Sequence, residues 1–216
     1  MQQRAKSARA TEGRGSSAAL TFFRQWLKNP LSVAALSPSS RQLARLMVRE
    51  LPADARRVIE LGGGTGVFTQ AMLEHGIAPD HLMVLELNEE LHKFLQERFP
   101  EVAVVCGDAR KLRELAEERR FIPEGTVDAV VSGLGLLSMP KTLQREILEA
   151  AFSVLPPDGR YIQFTYGPVS PVPRETLDAL GLTVRRGGFA LWNIPPASVF
   201  VYTRTRSKPI HPVRAK

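Results

Sequence analysis

A doubly wound, mostly parallel, seven-stranded α/β sheet is the fold this sequence predicts, and three observations predict it. Strand-like and helix-like patterns alternate along most of the 216 residues, the signature of a parallel sheet with covering helices. One junction, Val58-Ile59-Glu60-Leu61-Gly62-Gly63-Gly64-Thr65-Gly66-Val67-Phe68-Thr69, passes from a short apolar run through four glycines into a helical pattern. That is a strand, a tight turn and a helix start, with side chains stripped from the turn so that a ligand can approach the backbone. Near the end two strand-like runs follow one another directly, which adds an antiparallel strand to the βαβ progression.

The elements follow in order. Residues 1–17 are small, polar and basic, a composition with too little apolar surface to order itself. Residues 18–29 read as an amphipathic helix ended by Asn29-Pro30, with a connection to residue 36. Ser39 and Ser40 are placed to cap a helix running to about residue 50, with Leu43, Leu46 and Met47 on its inner face. Strands are expected at 57–61, 82–87, 102–105, 127–132 and 160–166. Between them helices are expected at 66–74, 89–98, 110–119 and 142–154, the last stopped by Pro156-Pro157-Asp158-Gly159. A short helix at 175–180 and strands at 183–192 and 198–204 complete one domain, 37–206, followed by a basic tail at 207–216.

Lysine and arginine number 29 against 22 acids, a formal net charge of +7, which calls for an anionic partner, nucleic acid or acidic lipid. The excess gathers at the ends: Arg4, Lys6, Arg9 and Arg14 face only Glu12, and Arg204, Arg206, Lys208, Arg214 and Lys216 are unopposed. Cys106 is the only cysteine, so no internal disulfide forms and a reducing, cytoplasmic setting is expected. The four histidines show no ligand spacing, so no metal is expected. No run approaches the eighteen or so apolar residues of a membrane span, and no secretory segment is evident at the N-terminus.

The glycines fit G-x-G-x-G and not the dinucleotide spacing, because Val67 stands where that fingerprint needs its third glycine. Glu60 just before the loop would repel a pyrophosphate, whereas it can neutralise the amino and sulfonium charges of S-adenosylmethionine. In this form the segment resembles motif I of the class I methyltransferases, with Glu60, Gly62, Gly64, Thr65 and Gly66 as its cofactor cradle. Ligands in open α/β sheets sit beyond the carboxyl ends of the strands at the switch point. Glu86 ends the second strand there and is suited to accept from both ribose hydroxyls, with Leu87 beside it. Asp108 and Ala109 end the third strand, where Asp108 either takes the adenine amino proton or simply caps a turn. Ser132-Gly133-Leu134-Gly135 ends the fourth, with Ser132 at the cofactor and room for the methyl acceptor beyond.

Four blocks extend the likeness from about residue 18 to 206. They are Trp26-Leu27-Lys28-Asn29-Pro30 leading to Ser37-Pro38-Ser39-Ser40, Glu60 to Phe68, Val127 to Leu134, and Gln163-Phe164-Thr165-Tyr166-Gly167-Pro168 with Asn193-Ile194-Pro195-Pro196-Ala197. Together they resemble the bacterial phospholipid N-methyltransferases of the PmtA type. That resemblance implies stepwise methylation of phosphatidylethanolamine towards phosphatidylcholine, with S-adenosylhomocysteine as the second product, by an enzyme held peripherally on the inner membrane face. It implies a lipid acceptor site at Ser39, Ser40, Gly133, Leu134, Tyr166 and Asn193. One departure is Gly135, where that family pattern leads one to expect proline.

Ala19, Phe22, Phe23, Trp26 and Leu27 fall on one helical face with Thr21, Arg24, Gln25 and Lys28 opposite. Beside a basic leader, this stripe suits insertion into an anionic membrane surface; packing on the protein's own core is the plainer alternative. Chemically, an ethanolamine ammonium with a pKa of about 10 must lose its proton before attacking the methyl group. Tyr166 is the first candidate for catalysis, as an aromatic face for the growing methylammonium or a proton relay; Trp192, Phe68 and Phe189 read rather as core. Three other functions fit parts of the pattern: an rRNA adenine N6-methyltransferase, an ornithine-lipid or other aminolipid methyltransferase, and a non-catalytic S-adenosylmethionine-sensing membrane module. The first needs an Asn-x-Pro-aromatic block after strand four, which Ser132 to Gly135 lacks, so nucleic acid is not the expected partner.

Overall fold

The computed structural model describes residues 38–191 and 195–205. The chain opens with helix α1 (Pro38–Val48) and then alternates β1 (Val58–Leu61), α2 (Val67–His75), β2 (Leu82–Glu86), α3 (Glu89–Arg98), β3 (Ala103–Cys106) and α4 (Leu112–Glu118). It continues with β4 (Ala129–Ser132), α5 (Lys141–Ser153), β5 (Arg160–Tyr166), α6 (Arg174–Ala179), β6 (Leu182–Ala190) and β7 (Ala197–Arg204). The seven strands lie in the order β3-β2-β1-β4-β5-β7-β6. The first five are mutually parallel, and β7 inserts antiparallel between β5 and β6.

Helices cover both faces because alternate strand residues point to opposite sides and both sets are apolar. Ile59, Leu61, Met83 and Leu85 pack with Leu112, Ile147 and Leu148 on one face. Val58, Leu82, Val84 and Val131 pack with Leu43, Met47, Met72 and Leu95 on the other. The same alternation aims Glu60 towards α2.

Several expected boundaries shift for local reasons. The first described helix begins at Pro38, so Ser39 and Ser40 fall in its first turn instead of capping it. Proline suits that position because its φ is preset and the N–H it lacks has no intrahelical partner anyway. The expected helix at 110–119 splits into a 3₁₀ turn, Ala109–Lys111, and α4. β6 carries a register shift between Arg186 and Gly188. Arg204, read from sequence among the unopposed tail charges, is instead built into the fold. Its guanidinium donates to the carbonyls of Phe152, Leu155 and Pro156 and lies over the Phe152 ring.

Candidate functional site

Strand order reverses between β1 and β4, and in such sheets ligands usually bind beyond the carboxyl ends of the strands at this switch point. Gly62 N–H donates to the Leu85 carbonyl at 2.7 Å and Gly66 N–H to the Gly63 carbonyl at 2.8 Å, which folds the loop back on itself. Gly64 holds φ +55°, a left-handed conformation costly for a residue with a Cβ and most of all for a β-branched one. The Thr65 carbonyl accepts from Arg98 Nη1 at 2.7 Å, so α3 ties the loop down from its far side.

Glu86 lies within this loop's hydrogen-bond network. One carboxylate oxygen accepts from Gly64 N–H and the other from Asn88 N–H, each at 2.9 Å. An ionised carboxylate offers about four acceptor sites, so these two bonds shape the glycine turn and leave capacity for a ligand's hydroxyls. Leu87, immediately beyond, is 68% exposed.

Glu60 is buried, yet only one of its oxygens is satisfied. Thr69 Oγ1 donates to Oε2 at 2.5 Å, and Oε1 has no hydrogen-bond partner. Burial pushes this carboxyl up to about 8, against the lowering effect of Thr69, and the nearby Glu86 charge adds to the rise. A buried acid with one unmet acceptor is costly unless a cation or donor arrives. That unmet acceptor, beside a turn made of glycines apart from Thr65, fits the ammonium-bearing end of S-adenosylmethionine. Thr69 was missed by the sequence reading. Its signal was an alcohol one helical turn into α2, on the face towards the acid.

Asp108 takes the capping role. Oδ1 accepts from Arg110 N–H at 2.9 Å, and Oδ2 from the Arg110 guanidinium at 2.6 and 2.9 Å. Those bonds to Arg110 hold its carboxyl below the usual range. Ala109 opens the 3₁₀ turn that Asp108 caps.

On the acceptor side, Ser132 is buried at the end of β4 and its Oγ accepts from Leu134 N–H at 3.3 Å. Gly133 N–H donates to the Leu61 carbonyl at 2.8 Å, and a Cβ on Gly133 would stand 2.6 Å from the Gly62 carbonyl oxygen. The loops after β1 and β4 therefore meet backbone to backbone. The Leu134 carbonyl accepts from Gln163 Nε2 at 2.7 Å, and Gln163 Oε1 accepts from Tyr161 OH at 2.9 Å. Gln163 thus fixes the acceptor loop, a role that sequence reading did not assign to it. Gly135 has φ −78°, close to the angle a proline ring imposes, so its φ is one that the expected proline would also accept.

Tyr166 is partly buried at the end of β5, edge-on to Phe164 at 5.4 Å, and Phe164 is edge-on to Phe68 at 5.6 Å. The Phe68 ring in turn lies 3.4 Å from where a Gly133 Cβ would be. An aromatic run therefore leads from the end of β5 to the glycine loops. Burial pushes the Tyr166 hydroxyl pKa up, which keeps it protonated and able to donate a hydrogen bond. Phe189, expected in the core, is 45% exposed, because β6 is the sheet's edge strand. Of the remaining expected site residues, Phe22, Phe23, Trp26, Leu27, Trp192 and Asn193 lie outside the described residues.

Comparison with known proteins agrees with this fold. Residues 58–159 match the Methyltransferase domain family. The ornithine lipid N-methyltransferase of Singulisphaera acidiphila is 38% identical over 152 residues, covering 68% of this chain and 77% of that protein. Among solved structures, a TehB-like methyltransferase from Corynebacterium glutamicum superposes with a TM-score of 0.56 at 20% identity, covering 88% of this chain and 100% of that one. Magnesium protoporphyrin IX methyltransferase from Synechocystis, solved with bound S-adenosylmethionine, gives 0.59 at 17% identity over 77% of this chain and 80% of its own. At those identities the two structures speak for the fold, while the lipid methyltransferase speaks for descent. The chain belongs to the class I S-adenosylmethionine-dependent methyltransferases.

Proposed function

We propose that this protein N-methylates the amine of a membrane aminolipid. The observation that carries the reading is the 38% identity to an ornithine lipid N-methyltransferase, extended over three quarters of that protein. An ornithine lipid is the acceptor that relative favours. Phosphatidylethanolamine, which the Asn29-Pro30, Ser37 to Ser40 and Gln163 to Pro168 blocks suggested, is the second reading.

S-adenosylmethionine supplies a methyl group activated on a sulfonium. The chain's own residues hold and orient. Glu60 receives the ligand's positive charge, Glu86 its hydroxyls, and the Gly62–Gly66 turn lets both come close. Phe68 and Tyr166, the partly buried rings held in place by the buried Phe164, offer π-faces to an amine that gains positive charge as it is methylated. A site walled by these rings is partly dry, which favours the neutral amine that has the free electron pair. Proximity and orientation then contribute to the rate.

Incubation with radiolabelled S-adenosylmethionine and vesicles containing both ornithine lipid and phosphatidylethanolamine tests the reading. Label is expected on a lipid amine, and the labelled species chooses between the two acceptors. Label on neither lipid, from enzyme that binds S-adenosylmethionine, overturns the proposal. Membrane association at the inner face belongs to the same proposal. It rests on the basic leader and on Phe22, Phe23, Trp26 and Leu27, since no helix among the described residues is long and apolar enough to cross a membrane.

Tyr166 distinguishes two ways of assisting. If its ring stabilises the charge growing on nitrogen, Tyr166→Phe keeps substantial activity, and Tyr166→Ala loses about 0.5–2 kcal/mol of transition-state stabilisation plus whatever positioning goes with the ring. If its hydroxyl relays the amine proton, phenylalanine is nearly as damaging as alanine, and the defect shrinks as pH rises and more amine is neutral. Initial rates across a pH series read this directly. Wild-type rates in both variants remove Tyr166 from the site.

A further inference from the structure

Five large apolar side chains stand exposed among the described residues: Leu87, Leu137, Val169, Phe189 and Leu191. All five lie at one edge of the sheet. Leu87 follows β2, Leu137 and Val169 sit in the connections leaving β4 and β5, and Phe189 and Leu191 close β6. β6 runs parallel to β5 because both are antiparallel to β7, so its end lies at the carboxyl edge with the others. Leu87 belongs with the cofactor loops, whereas the other four flank the acceptor side, at 40, 73, 45 and 60% exposure in chain order. Single exposed apolar residues need no explanation, but their collection on one functional edge does.

The direction of α1 brings the rest of the chain to the same edge. Its C-terminal end lies low on the sheet, where the Glu50 carbonyl accepts from Arg160 at the start of β5 and the Glu50 carboxylate pairs with Arg185 at 2.6 Å. Higher up, Leu46 meets Gly188 at 3.2 Å from its Cβ position. Eight further residues at about 1.5 Å each carry α1 about 12 Å back to Pro38, past the end of β6, which lies about 7 Å beyond Gly188 at about 3.3 Å per residue. The 37 residues before Pro38 therefore join the protein at this edge. They include Phe22, Phe23, Trp26 and Leu27 together with Arg4, Lys6, Arg9 and Arg14.

Around these residues three bases, Lys141, Arg174 and Arg186, stand beside two acids, Glu175 and Asp178, a small basic lean that suits an anionic surface. Lys141 and Arg174 open α5 and α6 beside the rim, and Arg186 donates to the Pro168 carbonyl next to Val169. Glu175 lies 3.8 Å from Lys141, while Asp178 meets Arg174 a turn further along α6.

We infer that Leu137, Val169, Phe189 and Leu191 form a bilayer-docking surface, which seats the carboxyl edge of the sheet, and with it the acceptor mouth, on an anionic membrane. The inference deepens the aminolipid reading and rests on it for its purpose, but it is tested without any aminolipid present. Full-length protein is co-sedimented with vesicles of phosphatidylcholine and phosphatidylglycerol. The quadruple variant Leu137→Ser, Val169→Ser, Phe189→Ser, Leu191→Ser is expected to lower the partition coefficient at least tenfold with S-adenosylmethionine affinity unchanged. Val169→Trp, a single change in an exposed loop, is expected to raise partition severalfold, and it decides the matter if the quadruple variant loses S-adenosylmethionine binding.

Partition within twofold of wild type in a quadruple variant that still binds S-adenosylmethionine overturns the inference, as does an unchanged Val169→Trp. So does a rise in partition of the quadruple variant accompanied by new proteolysis within residues 1–37, which would mean that the rim is covered by the chain's own leader. Loss of vesicle binding in the variant, while wild type labels no aminolipid, leaves the surface standing and overturns only the proposed acceptor.

Discussion

Gly64→Val abolishes S-adenosylmethionine binding, weakening it by more than about 100-fold, or roughly 2.7 kcal/mol. At φ +55° a β-branched side chain is strained, and relieving the strain rotates away the N–H that Glu86 accepts at 2.9 Å. The lost affinity thus has two sources, a filled approach to the backbone and a displaced carboxylate. Glu86→Ala removes the second alone and is expected to cost about 1.5–3 kcal/mol. Calorimetric titration of each variant, beside a thermal melt showing the sheet intact, measures both. Affinities within twofold of wild type for the two variants together would remove this loop from the cofactor site.

Binding of S-adenosylmethionine releases a proton from Glu60 near neutral pH. In the free protein, burial holds this carboxyl at about 8 against an ordinary 4.5, so at pH 7 it is mostly protonated. The folded chain therefore holds one more proton than the unfolded chain between those values. This group's contribution to free-protein stability is full below pH 4.5 and is lost as pH rises towards 8. A cation at Oε1 favours the ionised form, which turns the same shift into pH-dependent affinity. Affinity is expected to rise by up to about tenfold per unit between roughly pH 6 and 7.5. Above that the ligand's own α-amino group, with a pKa of about 7.7–8.0, begins to lose its charge. Titrations in two buffers of different ionisation enthalpy reveal the released proton. Glu60→Gln abolishes that buffer dependence and weakens binding by about 2–5 kcal/mol, the range for losing one partner of a buried charge pair. A flat pH profile with no buffer dependence in the wild type would falsify the assignment.

The glycine turn and the acids of the candidate cofactor site were legible in the sequence because their arrangement is local. Glu60, the glycines and the start of α2 lie within a dozen consecutive residues, where spacing alone fixes the turn. Glu86 was reachable because strand ends in a parallel sheet converge on one edge. Asp108 left two readings open, and the neighbour two residues on, Arg110, gave it the capping geometry. The acceptor half was far less legible. Gln163 holding Leu134 spans 29 residues, and the Gly133–Gly62 contact joins loops from two different βα units. No window of sequence contains both partners.

By itself, the sequence determined the alternation of elements, the doubly wound class and the glycine turn behind an acid. Each depends on periodicity, turn chemistry and backbone freedom acting over a few neighbouring residues. Only the tertiary structure decided that β7 inserts between β5 and β6, that Arg204 anchors the fold, and that Thr69 leaves one oxygen of Glu60 unmet. It alone gathered Leu137, Val169, Phe189 and Leu191 onto one edge. Which strands become neighbours depends on the burial of whole faces, a competition among all the elements at once, and distant side chains meet or remain exposed according to its outcome.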